Sequence, residues 1–158
     1  MSSRGAMGDK GRTMAKVLLL QGANMEWLGK REPELYGTTT ATELDAIMKD
    51  RAELLRVNLD IFYTNVEGEA VSRIYQGAND AIDGILMNPA GFNHTGFALR
   101  DCLRAVALPY VEVHMTNMER RGRRSVIASA ANGVICGLGV SSYLRGLDAL
   151  LDIIRDRQ

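Results

Sequence analysis

Short, continuously apolar runs alternate along this chain with longer segments whose apolar residues recur every three or four positions. The run KVLLLQG (16–22) is closed by glycine and predicts a buried strand. In ATELDAIMKDRAELLRVNL (41–59), Leu44, Ile47, Met48, Leu54 and Leu55 fall at helical spacing. DIFYTN (60–65) then reads as a strand, and EGEAVSRIYQGANDAI (67–82) as an amphipathic helix. DGILMNP (83–89) is another apolar strand, stopped by Asn-Pro, and HTGFALRDCLRAVA (94–107) is helical. PYVEVH (109–114) and GVICGLG (133–139) are two more strands, before a closing helix over SSYLRGLDALLDII (141–154).

Apolar strands separated by helices argue for parallel pairing, because a crossover between parallel strands needs a helix to span it. The pattern predicts an α/β fold with a five-stranded parallel sheet and helices on both faces, a three-layer α/β/α arrangement. No internal repeat or linker divides it, so residues 16–158 read as a single domain. Residues 1–15, MSSRGAMGDKGRTMA, are small, polar and aperiodic, and read as a disordered leader.

Charge narrows the function classes. Four arginines crowd into HMTNMERRGRRS (114–125), which on its own suggests a polyanion site. The whole chain, however, balances nineteen basic residues against nineteen acidic ones, and nucleic-acid binders usually carry a basic excess. Nucleic acid is therefore not an expected partner. Cys102 and Cys136 lie in apolar runs without metal-ligand spacing, which reads as two buried thiols in a reducing cytoplasm. No apolar stretch is long enough for a membrane helix.

In open α/β sheets ligands bind beyond the carboxyl ends of the strands. Here Asn24, Asn65, Asn88 and His114 follow or close four successive strands, which points to a polar pocket. His94 and His114 are the only histidines, so they are the natural acid–base candidates near neutral pH. Glu112 and His114 are two apart on one strand and share a face, so each is a plausible partner for the other. The polar loop LGKREPELYG (28–37) carries Arg31 and Tyr36. A phenol near its reference pKa of ~10 is a poor base at neutral pH. A neighbouring guanidinium would favour its ionised form. No P-loop or GxGxxG turn is present, and neither a cofactor nor a metal is expected.

These segments resemble the type II 3-dehydroquinate dehydratases (type II dehydroquinases) over roughly residues 16 to 155. GANMEWLGKREPELYG is similar to the family's GPNxxxLGxREPxxYG, and TNVEGE to SNxEGE. NPAGFNHTGFALRD is similar to NPxxxxHTSxALRD, and VEVHMTN to VEVHLSN. The resemblance implies a flavodoxin-like fold and a cofactor-free anti elimination of water from 3-dehydroquinate, through an enolate, to give 3-dehydroshikimate. It implies Tyr36 as phenolate base, Arg31 as the cation that stabilises it, and Asn24 as the group behind the enolate oxygen. His94 is then expected to protonate the departing hydroxyl, with Glu112 orienting it. Asn88 and His114 are expected on ring hydroxyls, and the substrate carboxylate on Met115 and Thr116. By the same resemblance, trimers assemble into a dodecamer and Asp101 reaches a neighbouring subunit's site. Such enzymes serve the shikimate pathway of aromatic amino acid biosynthesis or quinate catabolism, and the motifs do not separate the two.

The chain departs from the family in several places. Ala23 replaces a proline, Val66 a frequent histidine, and Gly96 the serine of HTS. Most of all, MERRGRRSVIASAAN (118–132) replaces a longer pattern like HAREEFRxHSYLSP. Aligned backwards from Gly133, it puts Gly122 where a substrate-binding arginine is expected. Arg121 or Arg123 is then expected to recover the contact. Two alternatives stand beside dehydration of 3-dehydroquinate. One is action on a related cyclic hydroxy-ketone acid; the other is a noncatalytic ligand-binding homologue.

Overall fold

The computed structural model describes residues 13–158, so residues 1–12 of the expected leader lie outside the described residues. Its last residue does not belong to a leader, because strand β1 runs from Ala15 to Ala23. The other strands are β2 (Val57–Tyr63), β3 (Gly84–Ala90), β4 (Tyr110–His114) and β5 (Gly133–Cys136). The helices are α1 (Pro33–Tyr36), α2 (Ala41–Leu55), α3 (Glu67–Asn79), α4 (Phe97–Val106) and α5 (Val140–Asp156). All strand pairs are parallel, in the order β2-β1-β3-β4-β5. That is the flavodoxin-like order, whose switch point lies between β1 and β3.

Strand alternation sorts the core into two layers. Val17, Leu19, Leu86, Val111 and Val113 face α2 and α5, meeting Leu44, Met48, Leu147 and Leu150. Leu18, Leu20, Ile85, Met87 and Tyr110 face α3 and α4, meeting Ala70, Ile74, Leu99 and Leu103. Every strand residue in β1 from Val17 to Leu20 is therefore buried, which is why the run carries no polar alternation. Each fully buried Leu contributes on the order of 1.5–3 kcal/mol relative to an exposed one.

The helix expected over 41–59 is shorter than its apolar spacing suggests. Thr40 and Glu43 form a reciprocal capping box at its start. Arg56 takes a left-handed conformation (φ 56°) that ends it, and Val57–Leu59 pair with Ala15–Val17 as the start of β2. The buried stripe of α2 is Leu44, Met48 and Ala52, while Leu54 is 73% exposed. His94 does not open a helix either. It ends a 3₁₀ turn, Gly91–His94, and α4 begins at Phe97. No described helix is long and apolar enough to cross a membrane.

Candidate active site

Beyond the carboxyl ends of β1 and β3 lies a cavity of about 220 Å³. Of the residues expected at the site, Asn24, Arg31, Tyr36, Asn88, His94, Met115, Arg121 and Arg123 line it. Gly22 makes the close approach of β1 and β3 possible there. A Cβ at that position would lie 2.1 Å from the Pro89 carbonyl oxygen, so only glycine fits. Asn24 follows in a left-handed conformation (φ 70°). Its N–H donates to Asn65 Oδ1 at 2.8 Å, and Asn65 Nδ2 donates in turn to Glu26 Oε1 at 2.5 Å. The strand-end asparagine Asn65 thus holds the Asn24 turn instead of lining the cavity.

Tyr36 closes the short helix α1 with two cations beside it. The Arg31 guanidinium carbon is 4.7 Å from the ring centroid, and that of Arg121 is 5.6 Å away. Arg121 also donates from Nη1 to the Tyr36 hydroxyl at 3.3 Å and to Thr116 Oγ1 at 2.9 Å. Arg31 is paired with Glu32 at 3.4 Å in a partly exposed contact, which leaves its charge only loosely committed. Negative charge on the Tyr36 oxygen would be met directly by Arg121, with Arg31 over the ring.

Arg121 owes its position to a tight turn. The N–H groups of Arg121, Gly122 and Arg123 return to carbonyls of Asn117, Met118 and Glu119, and Asn117 Oδ1 accepts from the Arg120 N–H. Gly122 takes φ 60° at the tip, so the residue without a side chain makes the bend and its two neighbours reach the cavity. Arg120 and Arg124 are exposed, and neither side chain has a partner among the described residues.

Glu112 is completely buried. Its Oε2 accepts from the Tyr110 hydroxyl and its Oε1 meets His114 Nε2, both at 2.7 Å. Burial first, and then the neighbouring carboxylate, raise the Tyr110 pKa well above its ordinary value, so its proton stays in place. The expectation that Glu112 orients His94 is corrected by this geometry. Residues 112 and 114 share a strand face, and both carboxylate oxygens are already engaged. The His94 imidazole is exposed at the cavity and has no partner among the described residues.

Asn88 is fixed from the opposite sheet face. Its Oδ1 accepts from the Ala90 N–H at 3.0 Å, and its Nδ2 donates to the Tyr143 hydroxyl at 2.8 Å. Tyr143 donates onward to Gln21 Oε1 at 2.7 Å. Asn88 is left with one N–H to offer the cavity. Asp101 lies apart, 65% exposed at its side chain and paired with Arg100 on α4. Glu112, His114 and Thr116 are not in the cavity wall, although Thr116 joins it through Arg121.

A family model described as "Dehydroquinase class II" matches residues 15–151. The chain belongs to the class II dehydroquinase family. The 3-dehydroquinate dehydratase of Ralstonia pickettii is 43% identical over 151 residues, covering 92% of this chain and 97% of that one. The protein of the same name from Geotalea daltonii is 46% identical over 143 residues, covering 89% and 99%. Among solved structures, the type II dehydroquinase of Butyrivibrio crossotus superimposes with a TM-score of 0.85 at 28% identity, over 89% of this chain and 99% of that one.

Within this dehydroquinase fold the segment 118–132 and Gly96 are linked. The segment 118–132 docks through the Val126 N–H on the Asn93 carbonyl at 2.9 Å. Ile127, fully buried, then occupies the space beside Gly96. A Cβ on Gly96 would lie 2.6 Å from the Phe92 carbonyl oxygen and 2.8 Å from Ile127 Cδ1. The serine of the family's HTS motif has no room against this packing. Asn93 itself, between Gly91 and His94 in the cavity wall, carried no signal in the sequence beyond its place in that motif.

Proposed function

We infer that this dehydroquinase removes water from 3-dehydroquinate to give 3-dehydroshikimate. The observation that carries this reading is Tyr36, set between Arg31 and Arg121 at the switch-point cavity. Tyr36 as phenolate takes a proton from the carbon beside the ring ketone. The electron pair moves to the ketone oxygen as an enolate, which Asn24 helps to hold at the mouth of β1. The enolate then collapses, a carbon–carbon double bond forms, and the hydroxyl β to the ketone leaves as water once protonated.

We assign that protonation to His114 and not to His94, because only His114 has a buried carboxylate to hold its imidazole in place. His94 and Arg123 take ring hydroxyls, and Asn88 donates its remaining N–H to a substrate oxygen. The carboxylate is received around Met115 and Thr116, beside Arg121. For this neutral chain the arginine cluster therefore serves a small organic anion. The trimer is part of the same reading. Phe97 is 51% exposed one turn before Asp101 on α4, an apolar and an acidic group for a neighbouring copy to cover.

Deuterium labelling tests the reaction course. Of the two substrates deuterated on either face of the carbon beside the ketone, only the one with deuterium anti to the departing hydroxyl should lose its label. Loss of label from the other face would remove the anti elimination, and with it the placing of base and acid on opposite sides of the ring.

A further inference from the structure

The cavity wall contains one buried side-chain amide with no hydrogen-bond partner among the described residues. Asn93 is 94% buried by residue, being 6% exposed, yet its Oδ1 is enclosed without a hydrogen-bond partner. Its Nδ2 makes no hydrogen bond among the described residues either, and the side chain borders the cavity between Gly91 and His94. A buried polar group left unpaired is costly to the fold, and a bound ligand that pairs it recovers that cost. Asn88, also buried in the wall, shows the contrast: both ends of its amide are held, by Ala90 and by Tyr143.

The backbone of Asn93 is not free in the same way. Its carbonyl accepts from Val126, so the residue is pinned to the segment 118–132 while its side chain is left unpaired. Arg121 of that segment is committed to Tyr36 and Thr116, and Gly122 offers no side chain. The ring hydroxyls of the substrate therefore meet fewer guanidinium donors from this segment than its four arginines suggest. An amide can give an N–H or accept an O–H by turning about its last bond, and a hydroxyl can complement either end.

We propose that the Asn93 side chain is a substrate-binding residue, one that hydrogen-bonds a ring hydroxyl of the bound substrate. This rests on the reading that the cavity takes 3-dehydroquinate. Asn93 adds a neutral, adaptable contact beside His94 and Arg123, and it sets which hydroxylated rings the cavity accepts.

The test is steady-state kinetics and thermal melting of Asn93→Ala against the unaltered protein. With 3-dehydroquinate, KM should rise by roughly 10-fold, as expected for loss of a buried hydrogen bond, while kcat changes less. The melting temperature of the free protein should hold or rise, since an unpaired buried amide has been removed. Added 3-dehydroshikimate should raise the melting temperature of the unaltered protein more than that of the variant. With a substrate lacking the contacted ring hydroxyl, the two proteins should have equal KM. An unchanged KM on 3-dehydroquinate overturns the proposal, as does a lowered melting temperature with ligand stabilisation intact. If the unaltered protein itself neither turns over 3-dehydroquinate nor is stabilised by 3-dehydroshikimate, the underlying reading falls and takes this one with it. Turnover by the unaltered protein with an indifferent variant removes this inference alone.

Discussion

Tyr36 has one guanidinium against its ring and a second at its hydroxyl, and the two arrive by different routes. Arg31 is a neighbour in sequence, so the pair was legible in LGKREPELYG. Arg121 comes from 85 residues away, and which of four clustered arginines arrives was not. That choice is made by the turn at Gly122, a conformational fact that composition does not carry. Replacing Arg121 by Gln should lower kcat for 3-dehydroquinate by about 10²–10³-fold, the scale of losing one oriented electrostatic group. Arg120→Gln should leave kcat within a factor of about two, because that side chain reaches nothing at the site. Equal losses in both variants would mean that the cluster acts only through its summed charge. The same contrast tests the histidines. His114→Ala and Glu112→Gln should each cut kcat by about 10²–10⁴-fold, the range for general acid–base groups, with His94→Ala falling mainly on KM. A larger kcat loss for His94→Ala would reverse the assignment. Strand alternation had already made Glu112 and His114 natural partners; only the role carried over by resemblance misdirected the carboxylate to His94.

At the scale of elements, the strands were the most readable part of the chain. A strand buried on both faces is continuously apolar, and KVLLLQ and GILM fit the interior of a parallel sheet covered by helices. The boundary between α2 and β2 was hidden because Leu54, Leu55, Val57 and Leu59 keep an apolar rhythm across it. The left-handed Arg56 that breaks the rhythm is not a residue type that announces a stop. The site's less legible element is the segment from 118 to 132, which reorganises around Ile127 and Gly96. Gly96→Ser, which restores the family's motif, should destabilise the fold by about 1–3 kcal/mol through overpacking against Phe92 and Ile127. Urea denaturation measures this, and an unchanged midpoint would show that the 3₁₀ turn before α4 yields easily.

The whole molecule combines a neutral net charge with a cationic cavity at the sheet's switch point. Its buried phenols make a separate prediction about stability. Burial raises the pKa of Tyr110 and Tyr143 above the ordinary 10.0, and burial together with Asp45 does the same for Tyr63. The folded state thus keeps protons that the unfolded chain gives up. Their contribution is fully present below pH 10 and is lost as the pH rises past 10 toward the folded values. Thermal melting should accordingly fall steeply above about pH 10, and Tyr110→Phe should shallow that fall. A slope unchanged in the variant would place the alkaline sensitivity elsewhere.

The central claim is that Tyr36 starts an elimination on 3-dehydroquinate, and enone absorbance follows that reaction directly. Purified protein should produce 3-dehydroshikimate steadily, and Tyr36→Phe, folded and still stabilised by 3-dehydroshikimate, should lose at least about 10²-fold in kcat. No enone from the unaltered protein, or undiminished turnover by Tyr36→Phe, would contradict it.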